Sequence, residues 1–462
     1  DYLFYCCFNL ESIAIPNKVA KIDEKAFFRC QNLNSVQIGE NVSSIGDCSF
    51  TRCNKLSKVT MNKKLKTIGE SAFADCVNLG EIDLPESLTN IESGAFLGTG
   101  LESVIIPKNI STIKSLTFSS MPNLKHVEIP SNVTSVEDRA FSGCSNLTDI
   151  KIPNSVNKFG EGVFAHCINL KNVSLPKYIS KISNEMFFQC NALEYIEVPS
   201  SLKAIGDYAF CECFNLKKVP GLDNLNSIGD NAFEDCKQLT DVTICENVTH
   251  IGKEAFINCI DCKNIDVDSS NKYYSSINGI LFDKDKKILK CYPAGKEDDS
   301  YSVPNGVIEV ESKAFYGCSN LTGTLQFPKS IQYIGEYALC KTQPSKMIIP
   351  FVGSRRERDT LNIGDHSKMF IYYFNEFFLP SIKEVEITDE TTISSNALLG
   401  LYNANTIKLN EGITKLCDNA FSSCGTNMTN IIIPSTVNSI GANVFDELIN
   451  LKSLYFRGTV EC

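Results

Sequence analysis

The chain has 462 residues, of which 43% are hydrophobic and 21% are charged, and this composition excludes a wholly disordered protein. Its net charge is −10 and no basic stripe runs along it, which argues against nucleic acid and anionic membrane surfaces as partners. No apolar run approaches the roughly 20 residues that a membrane-spanning helix needs.

A pattern of 23 residues recurs along the chain and organises it. The pattern reads P-x-x-(V/L)-x-x-I-G-x-x-A-F-x-x-C-x-x-L-x-x-(V/I), as in Val198–Val219. One step, between Phe96 and Phe118, is 22 residues long. The phenylalanine of A-F returns at Phe4, Phe27, Phe50, Phe73, Phe96, Phe118, Phe141, Phe164, Phe187, Phe210, Phe233 and Phe256. A fixed period of about 20–50 residues predicts a solenoid, in which each coil buries its apolar face against the next coil.

Each coil is predicted to contain three elements. The alternating run L-x-x-(I/V)-x-(I/L/V), as in Leu147–Ile152, predicts a short strand that proline ends. The run (V/L)-x-x-I, as in Leu202–Ile205, predicts a second extended segment on the opposite wall. The segment G-x-x-A-F-x-x-C predicts a short helical or 3₁₀ turn that points inward. Glycine follows the isoleucine that precedes this segment in seven coils, as at Gly46, but other residues replace it elsewhere, so a positive φ is not required there.

Cysteine follows the phenylalanine by three residues in most coils, and these positions hold twelve of the 21 cysteines. Threonine, methionine and leucine replace it elsewhere, so the position is interpreted as a core volume filled by a reduced thiol. Oxidation between neighbouring coils stays open, because their cysteines are expected near disulfide distance. Two extra cysteines outside this register, Cys6 and Cys211, are predicted to be more exposed.

The register divides the chain into five predicted segments and about seventeen coils. Regular coils occupy residues 1–259, and residues 260–312 form an irregular coil with a β-hairpin. In that hairpin, Gly279–Phe282 and Ile288–Tyr292 flank a charged tip. One regular coil at 313–343 precedes an irregular insertion at 344–381, and further coils fill 382–462. Neither end reads as the polar cap that solenoids need, so we expect a fragment whose targeting and anchoring segments lie outside it.

The tandem A-F-x-x-C-x-x-L units resemble the BspA-like leucine-rich repeats, almost without a gap from Leu3 to Phe256 and more loosely to Phe456. The resemblance implies a curved leucine-rich-repeat solenoid, mostly β, with a parallel sheet on its concave face. It also implies a protein that is secreted or displayed on the cell surface of a bacterium or a mucosal protist. Adhesion to host matrix proteins such as fibronectin or fibrinogen, to host cells or to other microbes follows from the same resemblance, which brings no catalytic residues.

No sequence motif indicates catalysis, a cofactor or a metal site. The four histidines form no H-x-x-x-H pair. Cys259 and Cys262 have the spacing of a zinc or redox site, but both fall on core positions. The segment Asp266-x-Asp268-x-Ser270 resembles the start of a calcium loop without its glycine and glutamate. Eight N-x-(S/T) sequons either carry glycans in a eukaryotic secretory pathway or arise by chance in an asparagine-rich repeat.

The predicted binding surface consists of the residues on either side of the central strand isoleucine or valine. They vary while the inward positions do not, as expected of a surface presented on a fixed scaffold, although a merely solvated face fits equally well. A second candidate patch combines the aromatic tract Phe370, Tyr372, Tyr373, Phe374, Phe377 and Phe378 with Arg355, Arg356 and Arg358, unless these residues pack the insertion. The candidate residues of the concave face are Lys58, Thr60, Glu81, Asp83, His126, Glu128, Asp149, Lys151, Asn172, Tyr195, Glu197 and Asp241.

The sequence therefore predicts a non-enzymatic, surface-displayed solenoid that holds a host matrix protein, or a cell-surface protein or glycan, along its sheet. The alternative is a cytoplasmic leucine-rich-repeat scaffold, favoured if all thiols are reduced and no sequon is glycosylated. A third class, an enzyme built on the insertions, requires a pocket with clustered titratable groups, and the sequence shows none.

Overall fold

The computed structural model describes residues 1–355, 366–374, 379, 381–422 and 424–457. The chain divides into two compact units. The first unit comprises Asp1–Leu239 with Asn247–Ala255, and the second comprises Thr240–Glu246 with Phe256–Cys462. The fold is a β-solenoid of about 19 coils with parallel sheets and almost no helix, which confirms the predicted leucine-rich-repeat stack. The predicted curvature and the five-segment division stay predictions.

The strands are short, and most coils contribute one to each of two walls. As far as residue 228 they are β1 (Ser12–Ala14), β2 (Lys21–Ile22), β3 (Ser35–Gln37), β4 (Ser44–Ile45), β5 (Lys58–Thr60), β6 (Thr67–Ile68), β7 (Asn90–Ile91), β8 (Ser103–Ile105), β9 (Thr112–Ile113), β10 (His126–Glu128), β11 (Ser135–Val136), β12 (Asp149–Lys151), β13 (Lys158–Phe159), β14 (Asn172–Ser174), β15 (Lys181–Ile182), β16 (Ala204–Ile205) and β17 (Ser227–Ile228). After residue 228 they are β18 (Asp241–Ile244), β19 (His250–Ile251), β20 (Asn264–Val267), β21 (Tyr274–Ile277), β22 (Ile280–Asp283), β23 (Ile288–Cys291), β24 (Tyr301–Ser302), β25 (Glu309–Val310), β26 (Thr324–Gln326), β27 (Tyr333–Ile334), β28 (Lys346–Ile349), β29 (Glu384–Ile387), β30 (Thr392–Ile393), β31 (Thr406–Leu409), β32 (Lys415–Leu416), β33 (Asn430–Ile433), β34 (Ser439–Ile440) and β35 (Ser453–Phe456).

In the first unit the two walls are parallel sheets whose strands pair one coil apart. The three-residue strands form the sheets β1-β3-β5, β8-β10 and β12-β14, here called the strand wall. The two-residue strands form β2-β4-β6-β7, β9-β11-β13 and β15-β16-β17-β19 on the second wall. From β3 onward along the strand wall the central residue is buried and its neighbours face outward, as Val59 lies between Lys58 and Thr60, whereas Ile13 of β1 is half-buried. The predicted alternation is confirmed, because a strand turns successive side chains to opposite faces.

Two predicted strands of the first unit do not form. Glu81–Asp83 lie outside any strand, and the coil that follows them is one residue shorter than the 23-residue period. Tyr195–Glu197 are reduced to a single bridge between Ser174 and Glu197. The coil beside them carries Pro220, which has no N–H to donate to a strand pair.

The predicted helical or 3₁₀ turn around the phenylalanine is wrong. Residues two before and two after the phenylalanine adopt positive φ, such as Lys25 (φ 52°) and Arg29 (φ 59°). Phe27 N–H consequently points sideways and donates to Ser49 O in the next coil at 2.8 Å, while Cys30 N–H closes a tight turn onto Phe27 O at 3.1 Å. In a helix every backbone N–H points along the helix axis. Because the backbone handedness alternates in this segment, its N–H groups can instead donate hydrogen bonds to the neighbouring coil.

In the described residues, 3₁₀ helices cover only Leu222–Asn224, His366–Lys368 and Phe370–Tyr373. The glycine that begins the turn segment does not need positive φ, as predicted. A Cβ on Gly46 would lie 2.8 Å from the backbone carbon of Asp23 in the preceding coil, so this glycine permits close approach of two backbones.

The core of the first unit is a ladder of phenylalanine rings, one per coil, from Phe4 to Phe233. Consecutive rings are stacked with centroids 5.0–5.8 Å apart and planes within 18°. From Phe50 to Phe233 they are almost completely buried. Because each ring contacts only its two neighbours in the ladder, this part of the core grows linearly with the number of coils.

The cysteines after the phenylalanines have a role beyond filling volume. The Cys53 thiol donates to Phe27 O in the preceding coil at 3.1 Å, and Cys213 donates to Phe187 O at the same distance. Thr99, which replaces cysteine in its coil, donates instead to Phe96 O within that coil. Cysteine and threonine therefore donate a hydrogen bond at this position as well as filling volume, whereas methionine and leucine fill it in other coils without a donor.

All 20 cysteines in the described residues are free. The prediction that Cys6 and Cys211 are more exposed than the cysteines in the register is wrong, because Cys211 is buried, and Cys6 is half-buried while Cys7 is exposed. Cys211 directly follows Phe210, and neighbouring coils cover this position, as they cover Thr51 and Ala165. Its Sγ lies 3.8 Å from Glu234 Oε2.

In the second unit the predicted hairpin is confirmed by the antiparallel pair β22–β23. The additional strand β21, which was not predicted, pairs antiparallel with β22. Strand β23 then pairs parallel with β25, so the hairpin ends inside the solenoid.

Both irregular segments contribute coils that the register did not reveal, which accounts for the higher coil number. Tyr292 takes the place of a ladder phenylalanine, because its ring stacks on Phe315 with centroids 5.1 Å apart. In the later insertion, Leu339 N–H donates to Tyr373 O, and Phe370 N–H donates to Ala397 O. The segment Phe370–Tyr373 therefore occupies one coil position between Leu339 and Ala397.

Candidate ligand-binding surfaces

Eleven of the twelve predicted site residues lie on the outward side of the first unit's strand wall, here called the strand face. Lys58 and Thr60 belong to β5, His126 and Glu128 to β10, Asp149 and Lys151 to β12, and Asn172 to β14. Glu81, Asp83, Tyr195 and Glu197 occupy the same row outside regular strands, and all eleven are exposed. Asp241 is exposed on β18 of the second unit, where its Oδ1 accepts a hydrogen bond from Asn264 Nδ2 at 3.2 Å.

The charged side chains of the strand face make no ion pairs with other described residues. These are Lys58, Glu81, Asp83, Glu128, Asp149, Lys151 and Glu197. The positions just before the row behave differently. Lys125 pairs with Glu102 at 2.9 Å, and Lys217 pairs with Glu194 at 2.6 Å, which lowers the pKa of Glu194 through the hydrogen bond from the ammonium. The face thus presents charges that no ion pair neutralises within the described residues, although Asp149 Oδ2 accepts a hydrogen bond from Thr148 Oγ1 at 2.9 Å.

Part of the predicted aromatic and arginine patch belongs to the core. Phe370, Tyr373 and Phe374 are buried. The Tyr373 hydroxyl accepts from Gly353 N–H at 2.9 Å and lies 3.0 Å from Phe351 O, to which it donates. The guanidinium of Arg355 lies over the ring of Tyr333 at 5.7 Å. Tyr372 is half-buried, while Phe377, Phe378, Arg356 and Arg358 lie outside the described residues. The packing interpretation is therefore confirmed for the buried aromatics.

The second unit carries a groove of about 710 Å³ that sequence reasoning missed, here called the second-unit groove. Its floor is formed by outward side chains of β29, β31 and β33, including Glu386, Lys408 and Ile432. Lys329 and Arg457 also line it. An adjoining hollow of about 370 Å³ shares Lys329 and Thr388 with the groove and extends to Gln326 and Ile348.

The ion pairs around the groove leave one carboxylate unpaired. Lys408 Nζ lies 2.6 Å from Glu384 Oε1, and Lys346 Nζ lies 3.1 Å from the same oxygen. Hydrogen bonds from these two ammonium groups hold the pKa of Glu384 below its usual value. Glu386 is the direct cross-strand neighbour of Lys408, yet it makes no ion pair or hydrogen bond through its side chain within the described residues. Lys408 therefore reaches diagonally to Glu384 and leaves the Glu386 carboxylate available.

Part of the groove was readable from the sequence. The strand pattern resumes at Ile382–Ile387, so the alternation that predicted the first-unit face also places Glu384 and Glu386 outward. The cavity above these strands was not predictable from the sequence. Its shape depends on where turns that are distant in sequence, such as Pro328–Ser330 and Asn410–Glu411, lie around the strands.

In the part of the chain that the structure describes, no three or more His, Cys, Asp or Glu side chains are grouped to hold a metal ion. The exposed His166 places Nδ1 2.7 Å from Gln189 Oε1. Within the same residues, no helix has the length and apolar character needed to traverse a lipid bilayer.

The chain is similar to several known leucine-rich-repeat proteins. A leucine-rich repeat protein from Bacteroides ovatus is 22% identical, with 93% of this chain and 91% of that chain covered and a TM-score of 0.48. A leucine rich cell surface protein from Faecalibacterium prausnitzii is 22% identical over 98% of this chain and 89% of that chain, with a TM-score of 0.32. The pneumococcal vaccine antigen PcpA is 16% identical over 99% and 91%, with a TM-score of 0.33. No curated protein matches the chain.

The family comparison covers most of the sequence. The BspA type leucine rich repeat region matches in six copies, over residues 1–125, 111–221, 161–288, 294–356 and 371–462. Leucine-rich-repeat families are generally non-enzymatic. The chain belongs to the BspA type leucine-rich repeat family.

Proposed function

We propose that this chain is a non-enzymatic adhesion protein, displayed on or secreted from the cell surface, that binds a host matrix or cell-surface protein along the strand face. One observation carries the proposal: seven exposed charged side chains lie in a row and have no ion pairs within the described residues. Exposed charges that are not neutralised by an ion pair are suited to steer and orient a complementary partner.

The length and net charge of the row restrict the class of partner protein. From Lys58 to Glu197 the row spans six coil steps, which is about 29 Å at a strand spacing of about 4.8 Å. This length suits a standard protein–protein interface, which buries about 800 Å² on each partner. The row carries five carboxylates and two lysines, a net charge of −3, so it favours a partner with a basic surface.

A second candidate, a cytoplasmic scaffold, is favoured by the free state of all 20 cysteines in the described residues. Burial of the cysteines weakens the support that their free state gives to a cytoplasmic location. It raises the pKa of Cys30 to about 11 and that of Cys53 to about 12, so these thiols resist oxidation in either compartment. Surface labelling of intact cells with an antibody against the chain separates the two locations.

The binding experiment compares the chain with two matched variants on fibronectin, fibrinogen and cultured epithelial cells. The strand-face variant replaces Lys58, Asp83, Glu128, Lys151 and Glu197 with alanine. The control variant removes two lysines and three glutamates that are also exposed but lie elsewhere, namely Lys21, Lys158, Glu40, Glu70 and Glu246. Both variants change the net charge equally, so a general charge effect cancels.

We expect saturable binding that the strand-face variant weakens at least tenfold and the control variant leaves unchanged. Equal binding by the two variants would exclude the strand face as the site. A folded chain that binds none of the three surfaces would overturn the proposed function itself.

A further inference from the structure

The floor of the second-unit groove and of the adjoining hollow is a regular array of outward side chains. Gln326, Ile348, Glu386 and Lys408 are successive cross-strand neighbours on β26, β28, β29 and β31, about 4.8 Å apart. These strands belong to one continuous five-stranded sheet, β24-β26-β28-β29-β31, whereas the strand wall of the first unit is divided into sheets of two or three strands. The groove therefore offers a repeating set of contacts on a rigid base.

The polar groups in and beside this groove are available for a ligand. Beside Glu386, the side chains of Gln326, Thr406 and Asn405 make no hydrogen bond within the described residues. Together they provide a carboxylate that only accepts, two amides that both donate and accept, and one hydroxyl. A ligand that satisfies them must itself be rich in donors and acceptors.

The charged side chains of the groove do not favour an ionic ligand. Lys408 is already paired with Glu384, and Arg457 Nη1 lies 2.6 Å from Glu411 Oε1. The groove lining holds three cations, Lys329, Lys408 and Arg457, and two carboxylates, Glu386 and Glu411, so its net charge is only +1 and two of its cations are held in ion pairs. An ionic ligand would have to compete with these ion pairs, which favours a neutral one.

Ile432 lies at the β33 end of the groove, and Tyr455 lies beside it, outside the groove lining. Ile432 is 46% exposed, and its cross-strand neighbour Tyr455 is 59% exposed. An exposed aromatic ring next to polar side chains can cover one flat, partly apolar face of a ligand. An extended peptide is less suited, because peptide recognition relies on apolar anchors in pockets and this end is open.

We propose that the second-unit groove, together with the adjoining hollow, is a binding site for a neutral oligosaccharide. Sugar hydroxyls donate to the Glu386 carboxylate and exchange hydrogen bonds with Gln326, Asn405 and Thr406, while a ring face packs against Ile432 and Tyr455. This site rests on the proposed function in so far as its natural ligand is a glycan on another cell, and it is separate from the strand face.

The test titrates the full chain with N-acetyllactosamine, chitotetraose, maltotetraose and a random peptide mixture, using calorimetry and saturation-transfer NMR. Glu386→Gln keeps the size of the side chain and removes its charge. Glu309→Gln is the matched control, because Glu309 is also partly exposed but lies on β25 outside the groove. Circular dichroism verifies that both variants are folded.

We expect at least one oligosaccharide to bind, Glu386→Gln to weaken it about tenfold or more, and Glu309→Gln to change it less than twofold. Binding of none of the oligosaccharides, equal binding by both variants, or selective binding of the peptides would overturn the assignment. If sugars fail while fibronectin or cell binding through the strand face persists, only this inference fails. If a sugar binds as expected while strand-face substitutions leave adhesion unchanged, only the proposed adhesive face fails.

Discussion

Replacing Phe164 with alanine should destabilise the first unit by about 4 kcal/mol. The ring is fully buried and stacks between Phe141 and Phe187, with centroids 5.8 Å away on each side. Truncating a buried phenylalanine to alanine costs about 3–5 kcal/mol, and each lost ring contact contributes about 0.5–1.5 kcal/mol of specific stacking energy. The neighbouring coils cannot close the cavity easily, because Phe164 N–H is bonded to Met186 O and its counterparts hold the coil spacing.

The assay is urea unfolding followed by circular dichroism, with hydrogen exchange at the amides of Phe141 and Phe164 to localise the loss. Hydrogen exchange is needed because repeat arrays can unfold in parts rather than in one step. Phe8→Ala is the control, since Phe8 is 49% exposed and should cost less than about 1 kcal/mol. A loss below about 1 kcal/mol for Phe164→Ala would refute the ladder as a main source of stability.

Two further predictions concern the thiols and the glycines. Burial raises the pKa of Cys30 to about 11 and of Cys53 to about 12, above the value of about 8.5 in an unfolded chain. The folded state then keeps protons that the unfolded state releases, so the free energy of unfolding should fall above about pH 8.5 by about 1.4 kcal/mol per pH unit for each thiol. Urea titrations from pH 7 to 11 measure this slope, and an unchanged slope in a Cys30→Ala, Cys53→Ala double variant would contradict the mechanism. Gly143→Ala should lower the free energy of unfolding by about 1 kcal/mol, because its φ is +75° and the new Cβ would have no atom closer than 3.4 Å. Gly46→Ala should lower it by about 3 kcal/mol, because the new Cβ would lie 2.8 Å from backbone atoms. Thermal and urea unfolding of the two variants would contradict this reading if the order of the losses were reversed.

The sequence by itself determined the solenoid, its two walls and the outward row of the strand face. Each of these rests on a short pattern repeated many times, so one irregular coil does not hide it. The alternation around Val59 predicted which side chains face outward because strand geometry leaves no other choice once the central residue is buried. The hairpin at Ile280–Cys291 was also predictable, since its two apolar runs and charged tip are local signals.

Only the tertiary structure decided the turn around each phenylalanine. The spacing of the apolar residues fits a helical turn and a run of alternating turns equally well. What selects the alternating form is hydrogen bonding to the next coil, such as Phe27 N–H to Ser49 O, and this partner is 22 residues away in sequence. The thiol bond from Cys53 to Phe27 O has the same origin, because its acceptor belongs to another coil.

The second-unit groove depends on the same kind of information. The outward positions of Glu386 and Lys408 follow from local alternation, but the diagonal pairing of Lys408 with Glu384 does not. It is set by which long side chains can reach across neighbouring strands once the sheet has formed. Pairing between coils therefore decides which charges are neutralised and which remain for a ligand, and single-sequence patterns carry no signal for it.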